Sequence, residues 1–347
     1  MNSPLKLWST SPDDFPADNP AADQLEFMVG YAVLAPSPHN TQPWLFSING
    51  TEVELFADRR RARRVADPAG RELVMSCGAA LFNLRIAAEY FGHLYKLDCL
   101  PDPVNPDLLA RFHLSLHGET SAEDVLLFYA ITQRRTNRQP YEDKPVAEEV
   151  LRQLEEDAHR FGAWFKVVRD QPARQAVADL VAEGDRRQWA DKPFRAELAH
   201  WIRSPREAHA DGLPASIYGI KDWLSFAGST LIRTFDRGGG LAATDRDIAL
   251  RAPALGVLGT DSDDPQAWLD AGQALQRVLL GARTDGVWAS FLNQPIEIPD
   301  LRHELANIIG GAYPQCLLRL GYGPEIPPTP RRSVHQVLVL PQHNVHA

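Results

Sequence analysis

Apolar residues recur along this chain first at helical and then at strand spacing, and the alternation marks out its elements. Asn19 and Pro20 stand where an N-cap and a first helical residue belong. Leu25, Met28, Val29, Ala32 and Val33 then follow on one helical face until Pro36 ends the run. Trp44, Phe46 and Ile48 alternate with less apolar neighbours, Asn49-Gly50 predicts a type I′ turn, and Val53 and Leu55 alternate again, so a hairpin is expected. Asp67-Pro68 opens a helix that runs through Gly78-Ala79-Ala80 to Gly92, its small residues suited to close backbone packing. Phe112, Leu114 and Leu116 read as a strand.

A second round begins near Val125, where a helical stretch ends in Arg134-Arg135-Thr136-Asn137-Arg138. Pro145 restarts a helix with Val146, Val150, Leu151 and Leu154 on one face, and Trp164, Lys166 and Val168 read as a strand. Pro172 to about Trp201 is a mostly polar helical segment. From there to Asp264 the chain is rich in Gly, Pro and Trp and least regular, with Gly238-Gly239-Gly240 read as a mobile loop. Helices at Ala271–Gly286 and Glu304–Ile309, a strand at Gln315–Leu320 and a β-prone tail from Val334 to Leu340 complete the pattern.

The two rounds contain a repeat. Gly78, Ala80, Leu81, Ala88 and Gly92 each recur 194 residues later as Gly272, Ala274, Leu275, Ala282 and Gly286. Trp44 pairs with Trp164 at the shorter spacing of 120, so the second round holds 74 extra residues between its strand and its helix. The expected organisation is two related halves, 1–122 and 123–347, with an excursion over about 185–264 that is a candidate lid.

Composition narrows the function. The chain has 347 residues, 44% hydrophobic and 23% charged, with a net charge of −9, a balance that argues against general nucleic-acid binding or adhesion to an anionic membrane. Its three cysteines, Cys77, Cys99 and Cys316, are scattered, which supports neither a disulfide framework nor a cysteine zinc site. No run approaches 18 apolar residues and no leader pattern is present, so a soluble cytoplasmic protein is expected. His335, His343 and His346 lack helical pairing and suggest no metal site.

Arg134, Arg135 and Arg138 with Thr136 offer what a phosphomonoester needs, bidentate cationic donors and a hydroxyl, although a solvated basic face accounts for the same residues. Arg331-Arg332 is a second, weaker cluster. Asp58 to Arg64 holds five arginines, read as solvated or capping. The loop Ala35-Pro36-Ser37-Pro38-His39-Asn40-Thr41-Gln42-Pro43-Trp44 is stiffened by three prolines, which suits its amides to a heterocycle's hydrogen-bonding edge or to local backbone groups.

These two segments resemble signatures of the FMN-dependent nitroreductase family: A-P-S-x-x-N-x-Q-P-W in the loop and R-R-[ST]-x-R in the arginine cluster. Gly272-Gln273-Ala274-Leu275-Gln276, Leu318 to Pro324 and Pro330-Arg331-Arg332 resemble further landmarks in family order, and Asp67 to Glu72 with Asn293-Gln294-Pro295 is most similar to the Acg-like branch. In ordinary members the arginine motif precedes the loop, and two subunits share each FMN site. Here the loop comes first, no arginine stands ahead of it, and Ala158 to Ala163 occupies the place of a second loop. The resemblance thus implies a fused pseudo-dimer with one complete FMN site between its halves.

By that resemblance Arg134, Thr136 and Arg138 hold the phosphate and ribityl chain, aided by Arg331 and Arg332. Pro36, Ser37, Pro38 and Asn40 contact the isoalloxazine from the first half, and Ala289, Ser290 and Phe291 pass along the ring from the second. No protein acid, base or nucleophile is named, because hydride transfer is the flavin's own chemistry. The implied fold is α+β, each half a mainly antiparallel sheet packed by helices. The implied activity is hydride transfer from NAD(P)H through FMN to a nitroaromatic, quinone or similar planar acceptor. The alternative is a protein that sequesters FMN beneath the excursion, where Trp201, Trp223 and Phe226 either pack or cover the flavin. A pseudo-dimeric monomer is expected, with further homodimerisation left open.

Overall fold

The computed structural model of this chain describes residues 4–204, 209–214, 232 and 238–341. Helix α1 (Ala21–Ala32) leads into strands β1 (Trp44–Asn49) and β2 (Glu52–Ala57), helix α2 (Arg71–Tyr90), and strands β3 (His93–Cys99) and β4 (Leu108–His117). Helices α3 (Ala122–Gln133) and α4 (Glu148–His159) precede strand β5 (Ala163–Val167). Next come α5 (Gln171–Ala190), α6 (Lys192–His200), the short pair β6 (Ile202–Arg203) and β7 (Leu213–Pro214), and α7 (Gly238–Arg251). The chain closes through β8 (Ala254–Thr260), α8 (Pro265–Thr284), β9 (Trp288–Phe291), α9 (Pro299–Ile309), β10 (Tyr313–Gly321), α10 (Val334–Val337) and β11 (Leu338–Val339). The architecture is α+β, as expected from the sequence.

Two sheets form. The first has the order β11-β1-β2-β4-β3 and the second β5-β8-β10-β9. With β11 set aside, both place their first, second, fourth and third strands side by side, and every such pair is antiparallel. Strand β11 adds in parallel to β1, pairing Leu338 with Phe46, so the end of the chain returns to the first sheet. Helix α3 also packs there, burying Leu127, Phe128, Ala130 and Ile131 in the first core.

Helices α2 and α8 cross between the sheets at their glycines. A Cβ on Gly78 would lie 2.2 Å from the Leu269 carbonyl oxygen, and one on Gly272 would lie 2.1 Å from that of Met75. Only glycine lets the two backbones approach so closely. Gly92 and Gly286, which end the corresponding helical runs, share left-handed φ values of 73° and 74°.

The first hairpin closes over Gly50-Thr51. Only Gly50 has positive φ (60°), the arrangement of a type II′ turn and not of the type I′ turn expected from Asn49-Gly50. In the second sheet the equivalent strands, β5 and β8, are joined by residues 168–253. The described residues of this insertion include α5, α6, the β6–β7 pair and α7, with Asp191 ending α5 and capping α6, where the sequence pattern predicted one segment. Gly238-Gly239-Gly240 is the first turn of α7, which corrects the loop expected there. Strand β8 lies inside the stretch read as irregular, yet every residue in it is buried. Helix α2 begins at Arg71 and not at Asp67-Pro68; Asp67 instead accepts the Leu73 amide at 3.0 Å. Among the described residues, no helix is long and apolar enough to cross a membrane.

Candidate functional site

The loop between α1 and β1 is held in an unusual conformation. His39, Asn40 and Gln42 have φ values of 51°, 55° and 50°, a left-handed region that side chains other than those of Gly and Asn avoid. Local bonds fix it: the Ser37 hydroxyl accepts the Gln42 amide at 2.8 Å, and the Asn40 amide donates to the Ser37 carbonyl at 2.9 Å. The Asn40 side chain accepts Arg331 Nη1 at 3.0 Å and donates to the Pro330 carbonyl at 3.1 Å. Gln42 donates to the Ala210 carbonyl and accepts the Arg332 amide, so both amides tie the loop to the C-terminal segment and to the insertion.

Behind the loop lies a buried arginine cluster. Arg134 and Arg331 both donate to the Leu34 carbonyl at 3.2 Å, and Arg331 donates again to the Ala35 carbonyl and to the Thr329 hydroxyl. Among the described residues neither has a carboxylate partner, and each keeps a buried Nε–H with no acceptor. Burial, and then the neighbouring Arg135, pushes Arg134 down to about 9; burial and the two adjoining arginines hold Arg331 well below its ordinary range. Arg135 lies over the Trp8 ring at 3.8 Å. Two cations removed from water without a counter-charge make a strong anion site. Arg332 plays another part, since its guanidinium is spent on the carbonyls of Gln42, Trp44 and Gln336.

A cavity of about 350 Å³ adjoins this cluster. Pro36, Ser37 and Pro38 form one wall, Thr136 and Arg138 another, and Ser290 and Phe291 of β9 a third. Ala289 sits behind them, bridged to Thr136, and its carbonyl accepts the Asn137 amide at 3.1 Å. Seven of the twelve sequence-predicted residues therefore line the cavity. Arg134, Arg331 and Asn40 form the adjoining cluster, while Ala289 and Arg332 support from behind.

Several lining residues were not legible in the sequence. His39 faces the cavity with Nδ1 unpartnered, and burial with Arg63 and Arg138 nearby holds its pKa well below the ordinary value, so the ring is neutral at pH 7. Arg63, within the cluster read as solvated, is buried between Glu72 and Glu297, 3.0 Å from the latter. The insertion supplies Asp185, Trp189, Phe194, Leu241 and Asp245. Trp201 is buried under Arg61 and Arg203 and does not line the cavity, whereas Trp223, Phe226, His343 and His346 lie outside the described residues.

Comparison with known proteins gives concordant results. The family model described as "Nitroreductase family" matches residues 131–322. The chain is 34% identical over 339 residues to the Mycobacterium tuberculosis (strain H37Rv) protein Rv3131, named as an inferred NAD(P)H nitroreductase, with 93% of each chain covered. It is 31% identical over 325 residues to acg of the same strain, also named as an inferred NAD(P)H nitroreductase, with coverage of 91% and 95%. A crystal structure of the FMN and NADPH-dependent nitroreductase NfnB from Sphigopyxis sp. strain HMH aligns at 21% identity over 61% of this chain and 96% of its own, with a TM-score of 0.40.

Proposed function

The chain belongs to the nitroreductase family, whose members are FMN-dependent NAD(P)H oxidoreductases, and on that premise we propose that it holds a single FMN between two related halves and reduces a nitroaromatic, quinone or similar planar acceptor. The observation that carries this reading is the arginine cluster. Arg134 and Arg331 are buried without a counter-ion and retain unpartnered Nε–H groups, a donor set that fits a phosphomonoester dianion. Thr136 and Arg138 continue from that cluster into the cavity, so Arg134 and Arg331 would hold the phosphate, and the cavity lining would hold the ring system.

Pro36, Ser37 and Pro38 from residues 1–122, and Ala289, Ser290 and Phe291 from residues 123–347, would hold the isoalloxazine from two sides. The left-handed loop is already fixed by Ser37, Asn40 and Arg331, so little ordering is left for binding to cost. When bound, the flavin supplies the two-electron hydride chemistry. The protein binds and orients, and the Trp189, Phe194 and Leu241 side chains make one side of the site apolar. The shared strand order of the sheets and the reciprocal contacts at Gly78 and Gly272 support the reading of the halves as a fused dimer.

A second reading is favoured by one observation: residues of the insertion wall the cavity. In that case the FMN is sheltered and the protein sequesters it with little turnover. An anaerobic absorbance titration separates the two. Bleaching of bound FMN by NADPH, followed by reoxidation on adding a quinone, is the expected result. FMN that dithionite bleaches and NADPH does not would establish sequestration.

A further inference from the structure

The insertion brings two carboxyl groups to the cavity. Helices α5 and α7 place Asp185 and Asp245 within hydrogen-bonding reach of each other, and Gln294 Nε2 donates to both, at 3.2 Å to Asp185 Oδ1 and 2.9 Å to Asp245 Oδ2. Gly184 permits this approach, because a Cβ there would lie 2.8 Å from the Gln294 carbonyl carbon. Asp185 is 3% exposed, and its Oδ2 has no donor so long as Asp245 is ionised. One proton shared between the two carboxyls removes that orphan and one of two adjacent buried charges. Burial and then the Asp245 carboxylate push Asp185 up to about 8, and burial also raises Asp245. Three cations face the pair: Arg186 beside Asp185, and Arg138 and Arg319 toward Asp245. The pair therefore retains a proton at neutral pH, inside the cavity that the family-based reading assigns to the flavin.

We propose that the Asp185–Asp245 pair donates the proton that accompanies hydride transfer to the acceptor, a quinone serving as the probe. A quinone takes one hydride, supplied by NAD(P)H through the cofactor, and one proton, and becomes a hydroquinone with no leaving group. Reducing a nitro group to a nitroso group takes the same hydride and one proton and expels water. In the step, an O–H bond forms at a quinone oxygen as the shared carboxyl O–H breaks, leaving two carboxylates that recover a proton from water at the cavity mouth.

The inference rests on the FMN reading, and the experiment separates their failures. Infrared difference spectra of the purified protein, with and without FMN, are recorded between pH 6 and 10 for wild type and Asp245→Asn. A protonated-carboxyl band that is lost on raising the pH through about 8, and is absent in the variant, is expected. In stopped flow, Asp245→Asn and Asp185→Asn slow quinone-driven reoxidation on the order of 10²-fold, the usual size of a general-acid contribution, with reduction by NADPH as the internal comparison. Circular dichroism confirms folding. FMN-loaded variants that reoxidise at the wild-type rate, or a wild-type spectrum without the band, overturn the donor role alone. Failure to take up FMN at all overturns both readings.

Discussion

Arg134 shows how a binding residue can burden the fold it belongs to. Burial pushes its pKa down from the ordinary arginine range to about 9, so the folded chain binds fewer protons than the unfolded chain above that pH. Stability attributable to this group is therefore lost as the pH drops toward about 9, and the whole penalty stands at pH 7. Bound phosphate would remove it. Arg134→Met should leave the Leu34 carbonyl satisfied, since Arg331 also donates to it. The variant is expected to raise the stability of the FMN-free protein by about 1–3 kcal/mol in urea titrations. It should weaken FMN binding roughly 10- to 100-fold, the worth of a charge-assisted contact, as read by flavin fluorescence. A loss of stability with unchanged binding would make Arg134 merely structural. The arginine motif and the loop were legible because arginine, proline and asparagine announce charge and backbone conformation locally. Asp185, Asp245, Arg63 and Glu297 were not, because an ordinary acidic or basic residue becomes significant only through its tertiary partners.

At the scale of elements, the crossing of α2 and α8 is the most constrained contact between the sheets. Gly272→Ala drives a methyl group toward the backbone oxygen of Met75, which cannot move away as a flexible side chain would. A loss of about 1–3 kcal/mol is expected, as for overpacking generally. Gly240→Ala, in the first turn of α7 with nothing within 4 Å of the added Cβ, should gain about 0.5–1 kcal/mol from helix propensity. Equal effects in thermal melts would mean that the close crossing is not maintained. The glycine register was readable in the sequence because the repeat preserved it. Strand β8 was hidden for the opposite reason: Gly256 and Gly259 lower its β signal, yet the rings of Phe165 and Trp164 lie where their Cβ atoms would stand. The weakly alternating edge strand β3 likewise takes its place by pairing with β4.

For the molecule as a whole, the fused-dimer reading requires one cofactor site where an ordinary family dimer has two. The side chains at the second position give a physical reason. Tyr95 stands 194 residues before Ala289, so a phenol occupies the place of a small residue beside the first cavity. Arg85 donates to the Tyr95 hydroxyl at 2.8 Å and lies over the Phe161 ring at 5.1 Å, while Phe161 meets Phe82 edge to face. Aromatic packing fills this position, and no arginine precedes the first loop to bind a second phosphate. The arginine cluster and the loop, by contrast, belong to one chain, so dilution cannot separate them. Fluorescence titrations with FMN at a series of protein concentrations, alongside sedimentation, should therefore give one FMN per chain and an affinity independent of concentration, even where a single chain sediments alone. Affinity that collapses on dilution would mean that a second copy completes the site. Two FMN per chain would mean that Tyr95 and Phe161 yield to a second flavin.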